Sequence, residues 1–415
     1  MPSIPQIYLF RRWILAVQTK LPDAFLATRR GARAEEILRS CVHCGFCNAT
    51  CPTYQLSGDE LDGPRGRIYL IKELFEEQAN EVRATVHLDR CLTCRACETT
   101  CPSGVSYGEL AELARDELGA HRGGSNGIVR RVLQWLVPHA ARLRTILRLG
   151  RLVKPLLPQT LAKTLPKRIS PARDWYAQQQ ATQRVLLLQG CAQQVMTGEV
   201  NEHLKKLLAA REVGVTTLRE EQCCGSLKLH LGNESGALAS IRHNVDAFYP
   251  LLADYAAIVS SASGCGVTVK DYGRLLAHDQ DYAERAAAVA AHTVDVGEFL
   301  AAQDWAFTAA VAERRIAWQA PCTLQHGQGA DGKVAELLVQ AGYELVPVAD
   351  EHLCCGSAGT YSILQPEWSQ QLKANKLQAL QAQNPDLIAT ANVGCQNHLE
   401  TDAKVPVVHW VQLLA

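Results

Sequence analysis

Twice before residue 103 the chain carries the pattern Cys-x2-Cys-x2-Cys-x3-Cys-Pro, as CVHCGFCNATCP from Cys41 and as CLTCRACETTCP from Cys91. This spacing constrains the fold more than any other feature. Three thiolates on one short loop wrap three corners of an iron–sulfur cubane. The fourth Cys, set apart and followed by Pro, faces the other cluster. The expected ligand sets therefore interleave: Cys41, Cys44, Cys47 and Cys101 for one [4Fe–4S] cluster, and Cys91, Cys94, Cys97 and Cys51 for the second. Such interleaving holds two clusters close together, so that an electron can hop between them. Zinc sites instead favour two Cys-x2-Cys pairs. The spacer 52–90 contains RIYLIKELFEEQAN, with Ile68, Ile71, Leu74 and Phe75 at helical spacing, and DGPRGR before it puts a Pro early in that helix. A helical insert predicts an α-helical two-cluster ferredoxin-like domain. Arg65 and Arg67 are expected to pair with nearby acids rather than to face a cluster.

All sixteen cysteines fall into four groups. The third is Cys191, Cys223, Cys224 and Cys265, and the fourth is Cys322, Cys354, Cys355 and Cys395. Tight groups and Cys-Cys pairs read as metal ligation in a reducing compartment, not as a disulfide framework. The last two groups are an internal repeat. Cys191 and Cys322, Cys223 and Cys354, and Cys224 and Cys355 are each 131 residues apart, and Cys265 and Cys395 are 130 apart. CCGSLKLH parallels CCGSAGTY, and IVSSASGC parallels LIATANVGC. Short β-prone runs at 185–188, 213–218 and 257–260, and again at 316–318, 343–348 and 387–391, alternate with Ala/Leu-rich helical patterns such as 200–210 and 334–341. That alternation predicts a tandem repeat of two α/β domains with parallel sheets. Each cysteine is then expected just beyond the carboxyl end of a strand, where open α/β sheets gather their ligands. The expected layout is an N-terminal extension at 1–33, a ferredoxin-type domain at 34–120, a linker at 121–183, and cysteine-rich domains at 184–303 and 304–415. Within the extension, Val17 is a natural start if its codon is GTG.

Charge adds one local feature. Lys plus Arg and Asp plus Glu number 42 each, but from Arg122 to Arg173 there are twelve basic residues and no acid. Ile128, Val132, Leu136, Leu143, Ile146 and Leu147 recur there at helical spacing, and Pro138, Pro155, Pro158 and Pro166 are expected to break the segment into short helices and turns. It reads as a basic amphipathic linker, either a solvated connector or a surface for anionic lipid or an acidic partner. Nucleic acid is not expected, because no basic–aromatic interleaving accompanies the charge. The apolar run 7–17 is broken by Arg11 and Arg12 and is too short to span a bilayer. No transmembrane segment and no secretory signal are expected. The protein is expected to be cytoplasmic, soluble or held peripherally on the cytoplasmic face of the inner membrane.

The run from CVHCGFCNATCPTYQLSGDELDGPRGRIYLIKE through HLDRCLTCRACETTCPSGV is similar to the glycolate oxidase iron–sulfur subunits of proteobacteria. The likeness continues through GCAQQ, SASGCG, PCTLQH, HLCCGSAGTYS and ANVGCQNHL, from about Ala34 to the C-terminus. The paired-cysteine repeats resemble the CCG, or cysteine-rich, domains of heterodisulfide reductases, of the anaerobic glycerol-3-phosphate dehydrogenase and of lactate-utilisation proteins. The resemblance implies a heteromeric complex. Flavin-containing subunits would oxidise glycolate to glyoxylate, and this chain would relay electrons to a quinone or another membrane acceptor, with no hydroxyacid chemistry of its own. In the heterodisulfide reductase relatives a fifth cysteine completes each CCG site, and here Thr268 and His398 stand in its place. The four cysteines left in each copy suit one or two further [4Fe–4S] clusters, a vestigial site or a dithiol, and His398 can add a nitrogen. A vicinal disulfide is the least expected, being strained. The competing readings are a CCG-type reductase of a disulfide-like substrate, an iron–sulfur subunit for D-lactate, another 2-hydroxyacid or glycerol 3-phosphate, and a scaffold subunit. Gly327, Gly329 and Gly332 spell G-x-G-x-x-G, but too far past the expected strand for a dinucleotide site.

Overall fold

The computed structural model describes residues 17–415, apart from 79, 122–123, 157–165, 167, 172–175 and 178–180. The first sixteen residues and Pro158 lie outside the described residues.

The helical module is built from Arg29–Ser40, Pro64–Phe75, Glu81–Asp89 and Tyr107–His121. Local chemistry starts these helices. The Thr28 side chain accepts from the Gly31 N–H, Pro64 occupies the first turn of its helix, and the Asn80 side chain accepts from the Arg83 N–H. Their inner faces bury Leu38, Ile71, Leu88 and Leu110 completely. The expected boundary at residue 34 falls inside Arg29–Ser40. Leu21 joins the same core, Val17, Phe25 and Leu26 pack against it, and the Val17 N–H donates to the Cys41 carbonyl at 2.9 Å. From Val17 onward, then, the segment read as an extension is part of the helical module.

Each repeat holds a four-stranded, all-parallel sheet. The first has β1 (Gln183–Leu188), β2 (Val213–Thr216), β3 (Ala257–Ser260) and β4 (Thr293–Asp295), in the order β2-β1-β3-β4. The second has β5 (Arg315–Gln319), β6 (Glu344–Leu345), β7 (Leu387–Thr390) and β8 (Val407–His409), in the matching order β6-β5-β7-β8. Val185 stands between Val215 and Ala257, and Ile316 between Leu345 and Leu387. Helices cover both faces, so the central strands read as continuous apolar runs. Two sequence expectations change. The run 343–348 pairs over only two residues, because Pro347 has no N–H for a ladder. The fourth strands were not expected: β4 and β8 are three residues each, too short for a periodic signal.

The two repeats share one core, in which Val185, Val200 and Leu204 of the first meet Ile316, Val334 and Trp410 of the second. The helical module docks on both. Arg95 pairs with Asp271 at 2.5 Å and Arg29 donates to the His278 carbonyl at 2.7 Å in repeat one. In repeat two, Arg90 stacks over Trp368 at 4.8 Å and Thr99 meets His326 at 3.0 Å. The linker forms two thirteen-residue helices, Gly124–Leu136 and Ala140–Leu152, longer than expected because Pro138 falls between them. Leu133, Leu143, an Arg130–Asp89 ion pair at 2.7 Å and an Arg144 bond to the Ser170 carbonyl hold the pair to the body. Among the described residues no helix is long and apolar enough to cross a membrane.

Candidate metal centres

The two Cys-x2-Cys-x2-Cys loops have one backbone shape. His43 and Gly45 in the first, and Thr93 and Arg95 in the second, all have positive φ, between 53° and 84°. Left-handed residues in alternation curl a loop so that its N–H groups turn inward. One result is the Thr93 N–H, 3.4 Å from the Cys91 Sγ. Glycine takes such a φ freely. Arg95 takes it at a cost of about 1–2 kcal/mol, set against its ion pair with Asp271.

Each loop wraps a cavity. The first is lined by Cys41, Cys44, Cys47 and Cys101, together with Cys97. The second is lined by Cys91, Cys94, Cys97 and Cys51. In both, the fourth thiol comes from the other motif. Cys97, Pro64 and Tyr107 line both cavities, so the two adjoin. Thiols converging on one space from three directions and more, beside an inward N–H, suit a cubane cluster in chemistry.

The cavities differ electrostatically. The first reaches the surface: Cys44 is exposed, and Phe46 and Tyr69 beside it are 62% and 48% exposed. Arg65 lines it and pairs with Glu60 at 2.6 Å, as expected. Burial next to Cys41 and Cys101 pushes the Cys47 thiol up to about 12. The second cavity is interior. Arg67, fully buried, lies 3.7 Å from Asp62, but it also donates to Thr53 at 3.0 Å and reaches the Cys51 Sγ at 3.9 Å. It therefore faces the thiols as well as its acid, and the expectation of an acid partner alone is too narrow. Burial opposes ionisation of Cys91, yet Arg67 and Arg115 outweigh it and hold that thiol below its ordinary value. Tyr107 adds an O–H donor 3.5 Å from the same sulfur. Arg95, Arg115 and Tyr107 were not singled out from the sequence. Their roles come from tertiary contacts that no local spacing encodes.

In each repeat the four cysteines converge beyond the strand ends, as a row. Cys191 and Cys223 are 3.6 Å apart, Cys223 touches Cys224, and Cys224 touches Cys265. In the second repeat Cys322 and Cys354 are 3.9 Å apart, Cys354 touches Cys355, and Cys355 lies 3.3 Å from Cys395. Of the residues in the fifth cysteine's place, Thr268 donates to the Gly264 carbonyl, and His398 points its Nε2 at Ser369, 3.2 Å away. Gly329 ends the helix Cys322–Gln328 and Gly332 lies in the next one, Asp331–Gln340, so the G-x-G-x-x-G run is a helix–helix junction.

The surroundings of the two rows diverge. Cys322 and Cys354 share an apolar cluster with Cys94 of the helical module, together with Leu92, Tyr361 and Leu372. Beside the first row lies half-buried Glu221, whose carboxylate accepts the Gln189 and Gly190 N–H groups. Burial pushes it up to about 7.

Residues 37–105 match the 4Fe-4S dicluster domain family, and residues 185–270 and 316–400 each match the cysteine-rich domain family. The chain is 42% identical to the glycolate oxidase iron–sulfur subunit of Escherichia coli K12, over 96% of this chain and 98% of that one. It is 31% identical to the probable glycolate oxidase iron–sulfur subunit of Bacillus subtilis 168, over 91% and 93%. Lactate utilization protein A of Shouchella clausii is 25% identical over 55% of this chain and 98% of its own.

Proposed function

The chain belongs to the family of glycolate oxidase iron–sulfur subunits, and from that premise we propose that it is the electron relay of a complex whose flavin-containing subunits oxidise glycolate to glyoxylate. The observation that carries this reading is the pair of adjoining cavities, each lined by all three loop thiols of one motif and by at least one thiol of the other. Cys41, Cys44, Cys47 and Cys101 hold one [4Fe–4S] cluster, and Cys91, Cys94, Cys97 and Cys51 hold the other. The groups supply one-electron redox chemistry when bound. The chain's own residues supply the rest: thiol ligation, the Arg67 charge and the exclusion of water. Electrons arrive on the exposed Cys44 side and move to the interior Cys91 side, and a quinone takes them up. In the complex, Cys41→Ser or Cys94→Ser leaves flavin reduction by glycolate intact in stopped flow and abolishes quinone reduction. Surviving quinone reduction in both variants rejects the relay. The isolated chain oxidises no glycolate. Iron and sulfide analysis counts the clusters: about eight irons per chain means that two sites are filled, and about twelve to sixteen means that the repeat rows hold clusters as well.

The linker pair supports peripheral attachment to an anionic bilayer. Its outer face exposes Ile128, Val132, Trp135, Ile146, Leu149 and Leu152, five of them by more than half, within the segment that carries twelve cations and no acid. Apolar residues at a surface flanked by arginines are the pattern of an interfacial helix. Vesicles containing phosphatidylglycerol float the complex, whereas phosphatidylcholine vesicles do not, and Trp135→Glu with Leu152→Glu abolishes flotation. Loss of the partner subunits in that double variant, with no vesicle binding by wild type, assigns the face to a protein instead.

A further inference from the structure

The two thiol-lined cavities stand in different fields of charge. The cation at the outer one, Arg65, is partly exposed and pairs with Glu60, which is partly exposed as well. Solvent and salt screen such a pair. Beside the interior cavity are two guanidiniums that water does not reach, Arg67 at 1% and Arg115 at 3% exposure. Arg67 is anchored at two atoms: Nε donates to the His87 carbonyl at 2.8 Å, and Nη1 to Thr53 Oγ1 at 3.0 Å. Its third nitrogen, Nη2, has no hydrogen-bond partner. Asp62 lies 3.7 Å from Nη2, and that carboxylate already meets His87 Nδ1 at 2.8 Å and Arg90 at 2.9 Å. Arg115 donates to Thr93 Oγ1 and to the Leu88 and Cys91 carbonyls at 2.5–2.9 Å, and none of these acceptors is charged. Farther round, Arg95 pairs with Asp271, and Glu98 accepts the Gly108 N–H at 2.6 Å. With Asp62 set against Arg90 and Asp271 against Arg95, Glu98 is left to balance both Arg67 and Arg115, so these groups sum to a positive charge. Burying a cation without a counter-charge is strongly unfavourable. The thiols of the cavity answer it: four thiolates around an iron–sulfur core keep a net negative charge, which grows by one on reduction.

We propose that Arg67 and Arg115 are positioning residues that make the interior cluster the higher-potential member of the pair, so that an electron entering on the Cys44 side runs downhill to the Cys91 side and rests there, away from water. The inference rests on the relay reading and gives it a direction. One electron leaves the outer site and one arrives at the inner, with no proton moved and no bond broken. The sign follows from electrostatics. A fixed cation in a low-dielectric interior stabilises the more negative, reduced state more than the oxidised one, which raises the potential. The free Nη2 offers a hydrogen bond in the same direction. Solvent at the outer site also favours reduction, and the inference is that two buried unit charges outweigh it.

The test is a redox titration of the cluster-loaded complex with dithionite and mediators, followed by EPR. A soluble dysprosium chelate speeds the relaxation of the cluster nearer solvent and so tells the two signals apart. In wild type the first signal to appear on reduction is expected to be the less dysprosium-sensitive one. Arg67→Gln and Arg115→Gln each shift the interior reduction equilibrium about tenfold toward the oxidised form, a fall of about 59 mV for one electron, while the outer midpoint stays fixed. Arg67→Lys, which keeps the charge, recovers most of that shift, which a merely structural role for the guanidinium would not do. Arg65→Gln moves the interior equilibrium less than about twofold, its charge being paired and screened. Iron and sulfide equal to wild type show that a variant is folded and loaded; where Arg67→Gln loads poorly, Arg115→Gln and Arg67→Lys decide. A wild type whose more exposed cluster is reduced first, or an interior midpoint unmoved in Arg115→Gln, overturns the inference and leaves the relay standing. Clusters that dithionite reduces and glycolate does not overturn the relay whatever the order of potentials.

Discussion

The two cysteine-rich repeats have one topology and one order of thiols, yet different neighbours. Repeat two lays Cys322 and Cys354 against Cys94, so its row is continuous with the interior cluster site. Repeat one meets the helical module through ion pairs instead, Arg95 with Asp271 and Arg274 with Glu112, and it sets a half-buried carboxylate beside its thiols. The sequences explain part of this. Glu221 caps two N–H groups at the β1 tip. At the equivalent tip after β5, Pro321 has no N–H, and the residue matching Glu221 is His352. One copy has become the electrical neighbour of the cluster module, and the other its electrostatic dock.

The largest difference is expected in packing. Gly225 and Gly356 are equivalent, each following a Cys-Cys pair with φ of 96° and 86°. An alanine at either position costs about 1–2 kcal/mol in backbone strain. At Gly356 the new Cβ would also sit 2.8 Å from the Ser369 carbonyl oxygen and 2.8 Å from the Leu372 Cβ, whereas at Gly225 the nearest atom is the movable Ile241 side chain at 3.0 Å. Gly356→Ala is expected to cost about 3 kcal/mol or more and Gly225→Ala about 1–2, read as denaturant midpoints. Equal costs would mean that the helix Pro366–Gln381 yields as easily as the Ile241 side chain does.

A smaller contrast lies in pH. Asp295 ends β4 and His409 ends β8; both cap the next helix and both are buried. Burial favours the neutral form of each, moving Asp295 up to about 7 and His409 down to about 4. The signs oppose. Asp295 binds a proton more tightly in the fold, so its stabilisation is full below about pH 4 and is lost as pH rises toward 7. His409 binds one less tightly, so its stabilisation is full above about pH 6.5 and is lost as pH falls toward 4. Between about pH 5 and 6.5 the two cancel in part. Asp295→Asn keeps a good cap and should make the thermal midpoint climb with pH, and His409→Gln should make it fall. Each change is about 1–2 kcal/mol across that window. A wild-type slope retained in both variants would remove these residues from the account.

Much of this architecture is legible in the cysteines, because ligand spacing is a local code. The duplication and the position of every repeat thiol beyond a strand follow from it, and the proposed interleaved sets rest on it. The short strands β4 and β8 are not legible, since three residues carry no period and their identity comes from pairing with β3 and β7. The double role of Arg67 escapes for a related reason. A charged residue mid-helix reads as solvated until the fold buries it at 1% exposure between Asp62 and the Cys51 thiol. The contact of Cys94 with repeat two lies furthest out of reach, being a meeting of segments more than two hundred residues apart.

That contact sets the finest test of the comparison. The potential of an iron–sulfur site follows its hydrogen bonds, nearby charge and exposure. Cys354 lies in the apolar cluster that packs on Cys94, so Cys354→Ser puts a more polar group next to the interior site. Cys223→Ser makes the same chemical change in a row that shares no cluster with the helical module. Redox titration of the complex, followed by EPR, should show the interior cluster's midpoint moved by about 20–40 mV in the first variant, under about 1 kcal/mol for one electron, and unmoved in the second. The more exposed Cys44-side cluster should stay fixed in both. Equal shifts from the two variants would mean that the repeats act on the clusters through the fold as a whole, and the division into electrical neighbour and electrostatic dock would fall.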